Sequence, residues 1–166
     1  MTRKASVREV ATEIVARNPS AAADGLTIER LMRCVEVDPE DASHVLGGWW
    51  SWSRKGLVVL PESIGDLTVD GNLNLYNNQL ESLPASFGRL TVGGALNLQC
   101  NRLESLPASF GRLTVGGDLD LYRNKVESLP ASFGGLTVGG DLRLSNNPVV
   151  ASLNENSFPG LALTLR

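Results

Sequence analysis

Few side chains in this chain could do chemistry on a substrate. Asp118 and Asp120 stand two residues apart, the spacing that puts two carboxylates on one face of a strand, where they could share a proton or hold a calcium ion. No glycine-punctuated acidic loop and no catalytic partner accompanies them. The single histidine, His44, cannot by itself build a histidine metal site or a catalytic triad and reads as a residue of a capping helix. The two cysteines, Cys34 and Cys100, fall in different substructures, so they predict free thiols rather than a disulfide or a zinc site. With no nucleophile and base set and no phosphate loop, the sequence predicts no enzyme, no cofactor and no metal. Binding chemistry remains: Tyr76, Tyr122 and Arg123 are residue types enriched at interface hot spots, and Asp118, Asp120 and Asp141 give the strand face on which they fall an acidic C-terminal half.

The elements that must position these residues are repeats. Four copies follow one another at a period of 23 residues, starting at Leu60, Leu83, Leu106 and Leu129. In each copy leucines alternate with polar residues (Leu73 and Leu75, Leu96 and Leu98, Leu119 and Leu121, Leu142 and Leu144), which predicts a short strand with one buried face. Copies running in the same direction, joined by a return path too short for a long helix, must stack their strands in parallel into a coil. Asn78, Asn101, Asn124 and Asn147 are polar where the chain turns inward, so they predict a ladder of amides satisfying buried backbone groups. Pro61, Pro84, Pro107 and Pro130 mark the return path, and Ile64, Phe87, Phe110 and Phe133 predict a second buried stack beneath it.

The pattern LxLxxNxL, in LNLYNNQL, LNLQCNRL and LDLYRNKV, resembles the leucine-rich-repeat superfamily over roughly residues 49 to 166. The resemblance implies an α/β repeat fold: a right-handed leucine-rich-repeat solenoid with one parallel sheet on its concave face, an irregular or 3-10 convex side, and an N-terminal all-helical cap. One departure stands out. Where the family usually has an apolar residue three positions before the first strand leucine, this chain has Asp70, Gly93, Gly116 and Gly139, with Val69, Val92, Val115 and Val138 one step earlier. Bacterial and viral proteins with LTVGG repeats are similar in this respect. The GlyGly pairs predict either a positive backbone angle or a close approach between coils.

A stack of coils exposes its core at both ends, so the flanks should be caps. Residues 1–48 read as a cap of about three helices: Ser6 with Glu9 is a capping box before Val7, Val10, Ala11 and Ile14; Thr27 precedes Ile28, Leu31, Met32 and Val35; Asp38-Pro39 precedes Ala42, Val45 and Leu46. Asn18-Pro19 and Gly47-Gly48 would end the first and third. Residues 49–59 read as a degenerate coil, with Trp50 and Trp52 at strand-leucine positions; three tryptophans in one stretch could form a ligand-stacking box, but their alternation with serine favours a bulky end plug. Residues 60–151 are the four repeats. Residues 152–166 read as a shortened last coil, whose LALTLR strand leaves an edge guarded by Arg166 or paired with another chain.

The strand face follows from the alternation. Coil by coil it reads Asn72, Asn74, Tyr76, Asn77; Ala95, Asn97, Gln99, Cys100; Asp118, Asp120, Tyr122, Arg123; Asp141, Arg143, Ser145, Asn146. These positions vary while the core positions hardly do, so the scaffold leaves this face free. Beside it, Glu81, Glu104 and Glu127 form an acidic row next to Gln79, Arg102 and Lys125. The resemblance implies a non-enzymatic scaffold that binds a protein partner on this face, in a microbial or viral interaction or effector protein. The alternative is nucleic-acid binding through residues 5–60 as a winged-helix-like module. Those first 60 residues balance eight basic against eight acidic residues, and the would-be recognition helix opens with Asp38, Glu40 and Asp41, which repel phosphate. No apolar run approaches the roughly 20 residues of a membrane span, and the basic N-terminal stretch has no apolar signal core, so the sequence predicts a cytoplasmic protein or one exported by a route that reads no such signal.

Overall fold

The computed structural model describes residues 3–33, 35–154 and 157–159, and the backbone of 163–164. Cys34 and Arg166, and with them the expectations of a free Cys34 thiol and of an arginine guarding the last edge, lie outside the described residues. In chain order the elements are α1 (Val7–Arg17), α2 (Pro19–Ala23), α3 (Ile28–Leu31), β1 (Glu36–Val37), β2 (His44–Leu46) and β3 (Trp49–Ser51), then two short strands per coil: β4 (Thr68–Val69) and β5 (Asn72–Asn74), β6 (Thr91–Val92) and β7 (Leu96–Asn97), β8 (Thr114–Val115) and β9 (Leu119–Asp120), β10 (Thr137–Val138) and β11 (Leu142–Arg143), with β12 (Leu163–Thr164) last. Among the described residues, five 3-10 helices, beginning at Glu62, Ala85, Phe110, Ala131 and Pro148, carry the return path.

The leucine alternation builds the sheet it predicts. Leu73, Leu96, Leu119 and Leu142 sit opposite one another in parallel register, in the order β12-β11-β9-β7-β5-β3. The asparagine ladder closes each coil. Asn101 donates from Nδ2 to the carbonyls of Leu75 and Leu98 (3.0 Å each) and accepts on Oδ1 from the Leu80 N–H (3.2 Å), so one amide ties three backbone groups from two coils. Phe87, Phe110 and Phe133 stack with centroids 6.2 and 6.1 Å apart and planes within 4°, above the buried Ile64.

The sequence predicts one parallel sheet; the structure has a second. The Thr-Val dipeptides of successive coils, β4, β6, β8 and β10, pair in parallel and β1 and β2 of the cap extend the sheet, in the order β1-β2-β4-β6-β8-β10, with Val69, Val92 and Val115 buried. Two-residue strands are too short to leave a periodic signal, and the GlyGly pairs are what let them stack. None of Gly93, Gly94, Gly116, Gly117, Gly139 and Gly140 has a positive φ. A Cβ on Gly116 would instead lie 2.1 Å from the Gly93 carbonyl oxygen, and one on Gly139 would lie 2.1 Å from that of Gly116. Close approach between coils is therefore the reason for the glycines.

The N-terminal cap is not all helical. α1 begins at the Ser6–Glu9 capping box and α3 at Thr27, whose hydroxyl accepts from the Arg30 N–H at 3.2 Å. The third expected helix, after Asp38-Pro39, does not form. Asp38 instead accepts from the Glu40 N–H in a tight turn, and β1 and β2 pair antiparallel around it. β2 pairs in parallel with β4, so that Thr68 N–H donates to Ser43 and Asp70 N–H to Val45. An open sheet edge thus outcompetes the helical pattern of Ala42, Val45 and Leu46, because β2 satisfies backbone groups of β4 that a helix would leave unpaired. Gly47 and Gly48, at φ 49° and 76°, turn the corner into β3 rather than ending a helix.

Trp50 and Trp52 fill the end of the core, their rings 4.3 Å apart and both indole N–H groups donating to the Leu31 carbonyl at the end of α3. Asn18, buried between α1 and α2, donates to the carbonyls of Ile14 and Val59 and accepts from the N–H groups of Val58 and Val59. At the far end Phe158 packs on Phe133 at 5.0 Å, and β12 pairs with β11. Among the described residues no helix is long and apolar enough to cross a membrane.

Candidate interaction surface

Parallel register stacks the outward positions of the strand face into columns. The first holds Trp49, Asn72, Ala95, Asp118 and Asp141; the second holds Ser51, Asn74, Asn97, Asp120 and Arg143. Beyond the strands follow Tyr76, Gln99, Tyr122 and Ser145, then Arg54, Asn77, Cys100, Arg123 and Asn146.

Several expected surface residues have work inside the fold. Asn74, Asn97 and Asp120 each accept on Oδ1 from the backbone N–H two residues on, at 2.9, 3.0 and 2.9 Å, which bends the chain at the end of each strand. Asn72 and Asp118 accept from the backbone N–H of the next coil, Ala95 at 2.6 Å and Asp141 at 2.9 Å. Asp120 is 6% exposed and Ser145 is 4% exposed, so neither offers a free surface. The remaining Asp120 oxygen takes hydrogen bonds from Gln99 and, at 3.5 Å, from Arg143, which also faces Asp118 at 3.7 Å. The aspartates are held by a guanidinium and backbone amides, an arrangement for fixing strand ends. The recurrence of Asn or Asp at 74, 97 and 120 was the available signal, since a free surface has no reason to repeat.

Asn77, Cys100, Arg123 and Asn146 do not lie on the strands. Their φ values of 53°, 54°, 54° and 56° make them a left-handed corner after each strand, shared by Arg54 at 52°. For cysteine and arginine this conformation is uncommon and costs about 1 kcal/mol, a cost the ladder asparagine that follows imposes by pulling the chain inward. Arg54 stacks over the ring of Tyr76 at 5.5 Å and Arg123 over that of Tyr122 at 5.6 Å.

The residue that sequence reasoning missed is Trp49. It is 65% exposed, pairs with Asn72, and opens the first column. Trp50 and Trp52 point inward, so the alternation puts Trp49 outward; reading the three tryptophans as one plug hid it. His44, expected in a helix, lies on β2 instead, with Nε2 2.6 Å from Asp70 Oδ1 and Nδ1 3.5 Å from Asp38 Oδ2. Its hydrogen bond to Asp70 raises its pKa.

A family model of the leucine-rich repeat matches residues 72–90, which is the β5 strand, its asparagine corner and the 3-10 return path. The matched coil is a leucine-rich repeat, and the other coils repeat its pattern at the 23-residue period. Among solved structures, a leucine-rich-repeat protein of Leptospira interrogans is similar, at 34% identity and a TM-score of 0.46, over 55% of this chain and 24% of that one. The chain thus spans about a quarter of that protein's length. No curated protein matches the chain. Among the described residues of the coils, those that face outward without a repeated side-chain bond include Trp49, Tyr76, Asn77, Cys100, Tyr122, Arg123, Asp141 and Asn146.

Proposed function

We propose that this leucine-rich-repeat chain is a non-enzymatic scaffold that binds a protein partner on the strand face, around Trp49, Tyr76 and Tyr122. The observation that carries the reading is Trp49, a large aromatic 65% exposed on a sheet whose other outward strand positions are mostly amides and carboxylates. Tryptophan and tyrosine bury much area at small entropic cost and dominate interface energetics. The frame supports the same end. Ladder asparagines and stacked phenylalanines fix the backbone before any partner arrives, so association has little chain ordering to offset. The narrower reading, an interaction protein of a microbe or virus acting on host components, rests on the LTVGG resemblance.

The test is quantitative capture of a partner from the native cell and, separately, from a host cell, with Trp49→Ala and Tyr122→Ala variants as controls. Each substitution is expected to weaken binding by about 2 kcal/mol while leaving the melting temperature within a few degrees. Capture unchanged by both substitutions would place the interface elsewhere.

A further inference from the structure

The left-handed corners create a second feature along one edge of the sheet. A groove of about 580 Å³ runs beside them, and Arg54, Arg102 and Arg123 line it together with Asn77, Gln79 and Cys100. Among the described residues no carboxylate lines this groove, and none of the three arginines has a carboxylate oxygen within 4.0 Å. All three are exposed. Arg54 and Arg123 lie over the Tyr76 and Tyr122 rings at 5.5 and 5.6 Å, a cation–π placement that keeps both cations at the groove.

We propose that this groove binds an extended acidic peptide segment of a partner protein, each arginine taking a carboxylate. The proposal deepens the binding reading, on which it rests, by giving the chemistry of the partner's contacting segment. Coil spacing sets the match. Arg54 and Arg123 lie three coils apart, about 14 Å at about 4.8 Å per coil. An extended peptide rises about 3.4 Å per residue, so acidic side chains at alternate positions over five residues cover the same length on one face. Guanidinium groups suit carboxylates because two parallel N–H donors meet two oxygens. The exposed Glu81 and Glu104 stand two residues beyond Gln79 and Arg102 in the chain and do not line the groove. A short peptide with a few carboxylates matches three cations, whereas the continuous phosphate track of a nucleic acid calls for a longer basic surface than three arginines supply.

The repeat itself supplies substitutions that keep the fold. Arg54→Asn and Arg123→Asn place at the left-handed corner the residue that stands there as Asn77 and Asn146, and Arg102→Gln copies Gln79. The probe is a fluorescent peptide of about eight residues alternating glutamate and serine, with its glutamine counterpart as control, titrated with the full chain by anisotropy. The glutamate peptide alone should bind, and binding should weaken as salt rises from about 50 mM to about 300 mM. The triple variant should bind about tenfold more weakly or worse with an unchanged thermal melt, while a charge-matched Arg17→Gln, Arg33→Gln, Arg112→Gln variant should bind as the native chain does. No binding, equal loss in the charge-matched variant, or tighter binding of a single-stranded oligonucleotide of equal charge overturns the proposal. Trp49 does not line the groove, so the two readings fail separately: loss of partner capture in Trp49→Ala with no glutamate-peptide binding rejects the groove alone.

Discussion

In the repeating coils one amide recurs at 78, 101, 124 and 147, each time donating to the carbonyl three residues before it and to the matching carbonyl of the preceding coil. At the N-terminal end Asn18 does comparable work once, joining α1 to the Val58–Val59 segment through four bonds that no other residue repeats. The coils are held by columns, in which each residue's neighbours are copies of itself. The end is held by singular contacts: both tryptophan N–H groups on Leu31, Ala5 N–H on Asp66, His44 on Asp70. A column can be extended by adding a coil. An end must stop the stack, which takes residues that match nothing else in the chain.

The largest break in this comparison should come at the plug. Trp52→Ala empties a fully buried site and removes a donor to Leu31, so it is expected to cost about 3–5 kcal/mol, read by urea unfolding. A two-state loss of the whole chain would mean the end nucleates the stack; early loss of the helical signal alone would mean the coils stand without it.

Asn101→Ala comes next. It strands the Leu75 and Leu98 carbonyls and the Leu80 N–H inside the core, at about 2–4 kcal/mol. Asn18→Ala should cost a similar amount yet act locally, increasing amide exchange at Val58 and Val59 and in α1 while β7 and β9 keep their protection. Equal exchange in both regions would erase the distinction between column and singular contact.

The smallest effect is a pH dependence. His44 is exposed enough for screening to weaken it, and it faces Asp38, Asp41 and Asp70, whose charges and the Asp70 hydrogen bond raise its pKa in the folded chain. Its contribution is therefore complete below its unfolded value of about 6.5 and fades as pH rises through the higher folded value. Thermal melts should show a decline over that window in the native chain that is absent in His44→Gln.

The core was legible in the sequence because each of its signals is repeated. The leucine alternation, the ladder asparagines, the phenylalanine stack and the capping box all predict what the structure shows. The misreadings fall where a residue's role depends on a neighbour distant in sequence. Ala42, Val45 and Leu46 carry helical spacing, yet the edge of β4 takes the segment as a strand. Asp120 and Ser145 alternate as outward residues should, but Gln99 and Arg143 and the turn of the coil close over Asp120. Trp49 was hidden by its neighbours: the 23-residue frame turns Trp50 and Trp52 inward, but only the pairing of β3 with β5 sets Trp49 on the open face beside Asn72.

The sequence by itself determined the coil, because a strand with one apolar face repeated every 23 residues can bury that face in one way only, against its own copies. Tertiary structure decided the second sheet, the hairpin in the cap, and which outward residues remain free to bind. These depend on pairings between segments too short or too singular to leave a period, where an unsatisfied backbone edge outweighs local preference.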